Sequence, residues 1–105
     1  MVGMTIQHTV VFRLTHPRGT DAEMEFLETA NRVLAAITGV RDFTIQRQVS
    51  AKSDMDWQFA MTFASVEAYD AYNEHPDHVE FVQTRWAREV VAFQEYDFTA
   101  RSLDA

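Results

Sequence analysis

Residues 6–14 decide the fold, and they read Ile-Gln-His-Thr-Val-Val-Phe-Arg-Leu. The run is rich in β-branched residues and alternates along its length, which predicts a strand with two different faces. One face carries Ile6, His8, Val10, Phe12 and Leu14, and the other carries Gln7, Thr9, Val11 and Arg13. His8 is therefore the polar exception on an otherwise apolar face.

A helix follows this first strand. Thr20 and Glu23 have the spacing of a capping box, in which a hydroxyl and a carboxylate satisfy the free N–H groups at a helix start. Apolar residues then recur at helical spacing, which predicts an amphipathic helix with Phe26, Leu27, Ala30, Val33, Leu34 and Ile37 on its inner face. Gly39 is a predicted stop for this helix.

Two more strands are predicted on either side of a hairpin loop. Residues 41–49 place Phe43, Ile45 and Val49 on one face, and the polar residues 50–54 form the loop. Residues 57–64 alternate cleanly, with large apolar residues at Trp57, Phe59, Met61 and Phe63 and smaller or polar residues between them.

A second helical region precedes the last strand. Ser65 is a predicted N-cap, and Pro76 divides the region because proline disfavours helix at the preceding residue yet suits the first turn of a new one. The second piece, residues 77–89, carries Val79, Val82 and Trp86 along one stripe. Residues 90–99, rich in Val, Phe and Tyr, form the final strand.

The order of elements is β-α-β, a hairpin, and β-α-β again. Right-handed crossovers interleave two such halves into a four-stranded antiparallel sheet with both helices on one face. The predicted fold is therefore α+β and ferredoxin-like, βαββαβ, with strand order 4-1-3-2. One domain over residues 5–100 and a short tail over residues 101–105 account for the chain.

Composition excludes several classes of function. The chain of 105 residues has no cysteine, and therefore neither a disulfide framework nor a thiolate metal site. Its formal net charge of −7 repels phosphate backbones, which argues against nucleic acid as a partner. The first residues, 1–5, lack a signal-peptide pattern and no stretch is long enough to span a bilayer, so we expect a cytoplasmic protein without membrane contact.

The sheet face away from the helices offers a candidate surface for dimerisation. It carries small and mixed side chains, Gln7, Thr9, Val11 and Arg13 on the first strand and Gln58, Ala60, Thr62 and Ala64 on the third. Such a face suits packing against the same face of a second copy, which would close a barrel. The residues alone leave the alternative open, namely that this face is simply solvated.

Several features together resemble one known family. The first-strand histidine, His8, is followed at a distance by Met-Thr-Phe-Ala-Ser-Val-Glu-Ala-Tyr-Asp-Ala-Tyr at residues 61–72 and by His-Pro-Asp-His-Val-Glu-Phe at residues 75–81. This arrangement is similar to the stress-responsive A/B barrel (Dabb) family of the dimeric α+β barrel superfamily, over nearly the whole chain. The resemblance implies a homodimer formed through the open sheet faces.

The resemblance also implies candidate catalytic residues. In a polyketide cyclase branch of the family, a tyrosine and the second histidine of the His-Pro-x-His motif act at a pocket beside the first-strand histidine. Those positions match Tyr72, His78 and His8. Another strand histidine and a first-helix tyrosine of that branch are not matched, because Trp57 and Ala30 stand in their places.

Two interpretations of the histidines follow from the residues. In the functional one, Tyr72 donates a hydrogen bond to a substrate carbonyl, His78 removes a proton and His8 orients the substrate or the base. In the structural one, His8 and His78 satisfy each other and nearby backbone groups, while His75 caps the helix at Pro76.

Aromatic residues add a candidate binding surface. Trp57, Phe59 and Trp86 are the candidate ligand contacts, with His75 beside them and with Tyr69 and Phe63 as further possible members; the alternative is that all are core. We expect no metal, because His75 and His78 flank a proline and lack a clear third ligand. No residue stands out as a haem ligand, and no cofactor is expected.

Three functions remain open on the sequence. The first is a dimeric protein that binds a small apolar or aromatic molecule in a pocket between sheet and helices, without an assigned reaction. The second is a cofactor-free cyclase, isomerase or oxygenase acting on a polyketide-like or aromatic substrate with a Tyr/His acid–base pair. The third is a non-catalytic structural stress protein.

Overall fold

Strand β1 (Ile6–Leu14) lies inside the sheet, with an antiparallel neighbour on each side. The computed structural model describes residues 4–101 and 103, and within them the strands form one sheet in the order β2-β3-β1-β4. The other strands are β2 (Arg41–Arg47), β3 (Trp57–Phe63) and β4 (Val90–Phe98). The predicted order 4-1-3-2 is confirmed, read from the opposite edge. Residues 102, 104 and 105 of the predicted tail, and residues 1–3, lie outside the described residues.

The helices begin where the sequence provides side-chain caps. Helix α1 (Asp21–Leu34) starts after Thr20, whose Oγ1 accepts a hydrogen bond from the Glu23 N–H at 3.3 Å. Helix α2 (Val66–Glu74) starts after Ser65, whose Oγ accepts from the Ala68 N–H at 3.1 Å. These bonds satisfy N–H groups that have no partner inside the helix.

The second half of the helical layer is interrupted twice. Pro76 opens helix α3 (Pro76–Phe81), and the chain then widens into a π-helical segment (Val82–Trp86) before helix α4 (Ala87–Glu89). Within the π segment, Arg85 forms ion pairs with Glu25 of α1 at 2.5 Å and with Glu89 at 2.6 Å. These contacts hold the widened segment against α1.

The two faces of the sheet differ as the alternation in the sequence predicts. On β1 and β3 the residues facing the helices are buried, including His8, Val10, Phe12, Phe59, Met61 and Phe63. Their neighbours Thr9, Val11 and Ala60 on the opposite face are only half-buried. The register of β4 against β1 adds two aromatic residues to that open face, because Tyr96 lies opposite Thr9 and Phe98 lies opposite Gln7.

Phenylalanine dominates the core between sheet and helices. Phe12, Phe26, Phe59 and Phe63 are the largest fully buried side chains. Phe12 and Phe59 meet edge to face with ring centroids 4.6 Å apart. Each such side chain contributes roughly 1.5–3 kcal/mol through burial alone, so the four rings together stabilise the layer substantially.

Three local expectations are wrong. Helix α1 ends at Leu34, so Ile37 and Gly39 lie in the following turn. Val49 is 84% exposed because β2 ends at Arg47 and the chain turns away from the sheet. Val79 is 38% exposed, because the inner stripe of this region instead consists of His78, Val82 and Trp86, which are four residues apart and all line the same cavity.

No helix in the described part of the chain is both long enough and apolar enough to cross a membrane.

Candidate functional site

His8 is held on the buried face of β1 by two residues from other elements. Its Nδ1 atom lies 2.6 Å from Oδ1 of Asp97, which faces it across the β1–β4 ladder. The hydroxyl of Tyr69, on α2, lies 3.1 Å from the same nitrogen and donates to Oδ2 of Asp97 at 3.0 Å. The buried imidazole thus has the partner that its environment requires.

This geometry decides which nitrogen of His8 carries the proton. An ionised carboxylate only accepts hydrogen bonds, so Nδ1–H of His8 is the donor to Asp97. Burial, and next the hydrogen bond to Asp97, raise the pKa of Tyr69 to about 12, so its hydroxyl stays protonated and donates to the second carboxylate oxygen. In the neutral ring of His8 the free lone pair therefore lies on Nε2.

His78 is held in the same way on α3. Its Nδ1 atom lies 3.2 Å from the backbone carbonyl oxygen of Asn73, which can only accept a hydrogen bond. The ring packs against Tyr72 with centroids 4.4 Å apart. Both histidines are thus fixed through Nδ1, and neither Nε2 atom has a hydrogen-bond partner within residues 4–101 and 103. In the structural interpretation, the bond between His8 and His78 is wrong, because each has a different partner, whereas the bond to a nearby backbone group is present for His78.

The pKa values of His78 and of the nearby tyrosines favour a neutral His78 ring and protonated hydroxyls. Burial lowers the pKa of His78; the Asn73 carbonyl opposes this change, and the nearby His8 adds to it. Burial also raises the pKa of Tyr72 well above its ordinary value. At neutral pH, Tyr72 is consequently a hydrogen-bond donor and His78 is an acceptor through Nε2.

A small cavity brings the predicted catalytic residues together. Its volume is about 40 Å³, and its wall contains His8, Tyr72 and His78. The rest of the wall comes from the core, the π segment and strand β4, namely Val10, Leu34, Phe59, Met61, Phe81, Val82, Trp86 and Glu95. Two of the predicted binding residues, Phe59 and Trp86, therefore lie at the same cavity as the three catalytic candidates.

The other two predicted binding residues lie elsewhere. Trp57 is not part of the cavity wall, and its Nε1–H donates to Oε2 of the buried Glu23 at 3.0 Å. His75 is the N-cap of α3, and its Nδ1 accepts from the Asp77 N–H at 3.1 Å. Trp57 thus links β3 to α1 through a hydrogen bond. His75 caps α3, which is the role that the structural interpretation of the histidines predicted.

Two residues of the site were missed in the sequence. Asp97 and Glu95 lie in the final strand, whose alternation was not assigned to faces. Pairing of Val10 with Glu95 and of His8 with Asp97 puts both carboxylates on the helix-facing side. Two acids two residues apart in an aromatic strand were the available signal, but only the register of β4 shows that Asp97 lies opposite His8 and that Glu95 lies opposite Val10.

The described residues contain no group of three or more His, Cys, Asp or Glu side chains arranged to hold a metal ion.

Sequence and structure comparisons agree on the relatives of this chain. The family model of the stress-responsive A/B barrel domain matches residues 6–100. The chain belongs to the stress-responsive A/B barrel (Dabb) family. A crystal structure of a Dabb protein with a ferredoxin-like fold from Mesorhizobium loti is 45% identical, with a TM-score of 0.93, over 94% of this chain and 99% of the other. No curated protein matches the sequence.

More distant structures share the fold of this family member. A dimeric ferredoxin-like protein of unknown function from Thermobifida fusca is 19% identical, with a TM-score of 0.76, over 93% of this chain and 92% of the other. A hydroxynitrile lyase from Passiflora edulis is 11% identical, with a TM-score of 0.79, over 92% and 94%. At these identities the likeness concerns the fold alone.

We expect His78 to titrate below the ordinary histidine pKa of about 6.5, because burial disfavours its charged form. Between the folded and unfolded pKa values the unfolded chain binds more protons, so the free energy of unfolding rises with pH across that window. NMR titration of the His78 ring measures the midpoint, with the same ring in urea as the reference. A folded midpoint at or above the unfolded one would contradict the burial of this ring.

Proposed function

We propose that this Dabb protein forms a homodimer through its open sheet face and binds a small molecule at the cavity between His8, Tyr72 and His78. The observation that carries the binding proposal is the state of the two histidines. Each is fixed through Nδ1 to an acceptor, and each keeps Nε2 for a further partner. Histidines with a purely structural role have no need of a shared cavity.

The composition of the open face supports the dimer. Phe98 is 52% exposed and Tyr96 is 46% exposed, and the two rings stack with centroids 5.9 Å apart. Around them lie the half-buried side chains of β1 and β3, including Thr9 and Ala60. An apolar, uncharged patch of this kind is typical of an interface between subunits. The Thermobifida fusca protein of the same fold is described as dimeric.

A ligand requires more room than the cavity now offers. Its volume of about 40 Å³ suits one small group, whereas binding sites for small molecules commonly measure about 300–1,000 Å³. Phe81 separates the cavity from an outer groove of about 460 Å³ between α1 and α3. Rotation of the Phe81 ring towards that groove is the movement that would enlarge the pocket. The adjoining π segment is consistent with a site here, because π-helical turns occur frequently at functional sites.

Acid–base catalysis is the second candidate, and the bond between His8 and Asp97 favours it. A carboxylate on Nδ1 fixes the tautomer and stabilises the protonated ring, as a catalytic base requires. Tyr72 would donate to an oxygen that gains charge, while His8 or His78 removes a proton through Nε2. The hydroxynitrile lyase of the same fold supports the idea that this architecture can hold an active site. A cyclase, isomerase or oxygenase acting on a polyketide-like or aromatic substrate fits this machinery.

We expect Phe98→Glu to convert the dimer to monomer, because it places a charge in the exposed aromatic patch of the proposed interface, beside Tyr96; truncating an aromatic that anchors an interface costs about 2 kcal/mol or more. Phe93→Glu is the matched control. Phe93 is equally exposed, at 52%, but lies opposite Phe12 on the helix side of the same strand. Sedimentation equilibrium measures both variants. A monomeric wild type, or loss of the dimer only in Phe93→Glu, would reject the proposed interface.

We expect benzyl alcohol to shift the NMR signals of the His78 and Trp86 rings, because both line the cavity. Val82→Phe should fill the pocket and weaken binding about tenfold or more, since one extra ring exceeds the space present. Val79→Phe is the control, because Val79 is exposed and outside the cavity wall. Equal affinity in the two variants would mean that the probe binds elsewhere, and absence of binding would favour a structural stress protein.

A nitrobenzisoxazole tests the acid–base candidate without a known substrate, since a base opens its ring by removing one C–H proton as the N–O bond breaks. We expect faster opening than with free imidazole and a loss of about tenfold or more in Asp97→Asn, because the amide no longer fixes His8 as a base. Asp77→Asn, at an exposed residue of α3, serves as the control. Rates equal to those of imidazole in all proteins would leave only the binding function.

A further inference from the structure

Glu95 occupies a special position in the cavity wall. It lies on β4 directly opposite Val10, which places its side chain on the helix-facing side of the sheet. The other wall residues are buried or half-buried, whereas Glu95 is exposed. Strand β4 is also the edge of the sheet in the described part of the chain. Glu95 therefore marks the side on which the cavity meets solvent.

The wall around this carboxylate is aromatic and apolar. Tyr72, Phe59 and Trp86 contribute rings, and the two histidines are the remaining titratable groups of the wall besides Glu95 and Tyr72. Glu95 is thus the wall residue that carries a carboxyl group. Arg85, next to Trp86 in the chain, is paired with Glu25 and Glu89. Among the described residues, neither a lysine nor an arginine is part of the cavity wall.

The charge of Glu95 also acts on the rings of the site. The pKa of His78 is set mainly by burial, then by the Asn73 carbonyl and His8, and Glu95 raises it while His75 lowers it. The effect agrees with a carboxylate close to the cavity, since a nearby negative charge favours the protonated imidazole.

We propose that Glu95 selects the ligand of this pocket for a protonated amine attached to a small apolar or aromatic body. The inference rests on the proposed function, because it concerns the same pocket. A carboxylate at the mouth pairs with an ammonium group, and aromatic rings within the wall favour cations at their faces. The same carboxylate disfavours an acidic ligand, which would bring a second negative charge to a partly desolvated site.

Three probes of similar size and different charge test this inference: benzylamine, benzyl alcohol and benzoate. Their affinities are measured from the NMR shifts of the His78 and Trp86 rings. In the wild type we expect benzylamine to bind about tenfold or more tightly than benzoate, the effect of one charge interaction at a partly solvated site. In Glu95→Gln we expect this preference to fall to a few-fold at most.

Glu67→Gln is the matched control. Glu67 is exposed in the first turn of α2 and lines neither the cavity nor the outer groove, and its substitution changes the net charge of −7 by the same single unit. The control should keep the wild-type preference. An equal reduction in both variants, or an unchanged preference in Glu95→Gln, would overturn the role of Glu95 and leave the pocket intact. Absence of shifts with all three probes would reject the pocket, and with it this inference.

Discussion

A buried imidazole on the inner face of a sheet must be hydrogen-bonded, and much of this molecule is arranged around that requirement. His8 interrupts the apolar face of β1, where an unpaired polar group would cost about 1–3 kcal/mol. Asp97 on β4 and Tyr69 on α2 meet it from two sides. The same contacts join the edge strand to the helical layer, so the polar cluster stabilises the fold and orients the ring at once.

Much of the fold could be predicted because its signals are local. Alternation along residues 6–14, the caps at Thr20 and Ser65, and the break at Pro76 each act within a few residues. Two similar β-α-β halves then leave few topologies, which is why the strand order was predicted. The prediction for Val49 was wrong because alternation alone does not indicate the residue at which a strand separates from its neighbour.

The candidate site was only partly predictable because its partners are distant in sequence. His8 and Asp97 are 89 positions apart, and a slip of one residue in β4 would turn the carboxylate to the other face. The register also shifts at residues 13 and 14 of β1, so no simple count along β4 gives the pairing. Val82 and Trp86, by contrast, are four residues apart on one helical stripe and both line the cavity, so this side of the wall could be predicted from local spacing.

Strand β4 carries two different surfaces on alternate residues. Asp97 and Glu95 face the cavity, while Tyr96 between them faces outward with Phe98. Because one strand supplies residues to both the cavity and the open sheet face, ligand binding and self-association are coupled thermodynamically. A molecule that binds more tightly when β4 is held in place would strengthen self-association, and self-association would raise its affinity by the same factor. In such an arrangement, protein concentration itself becomes an effector of the pocket.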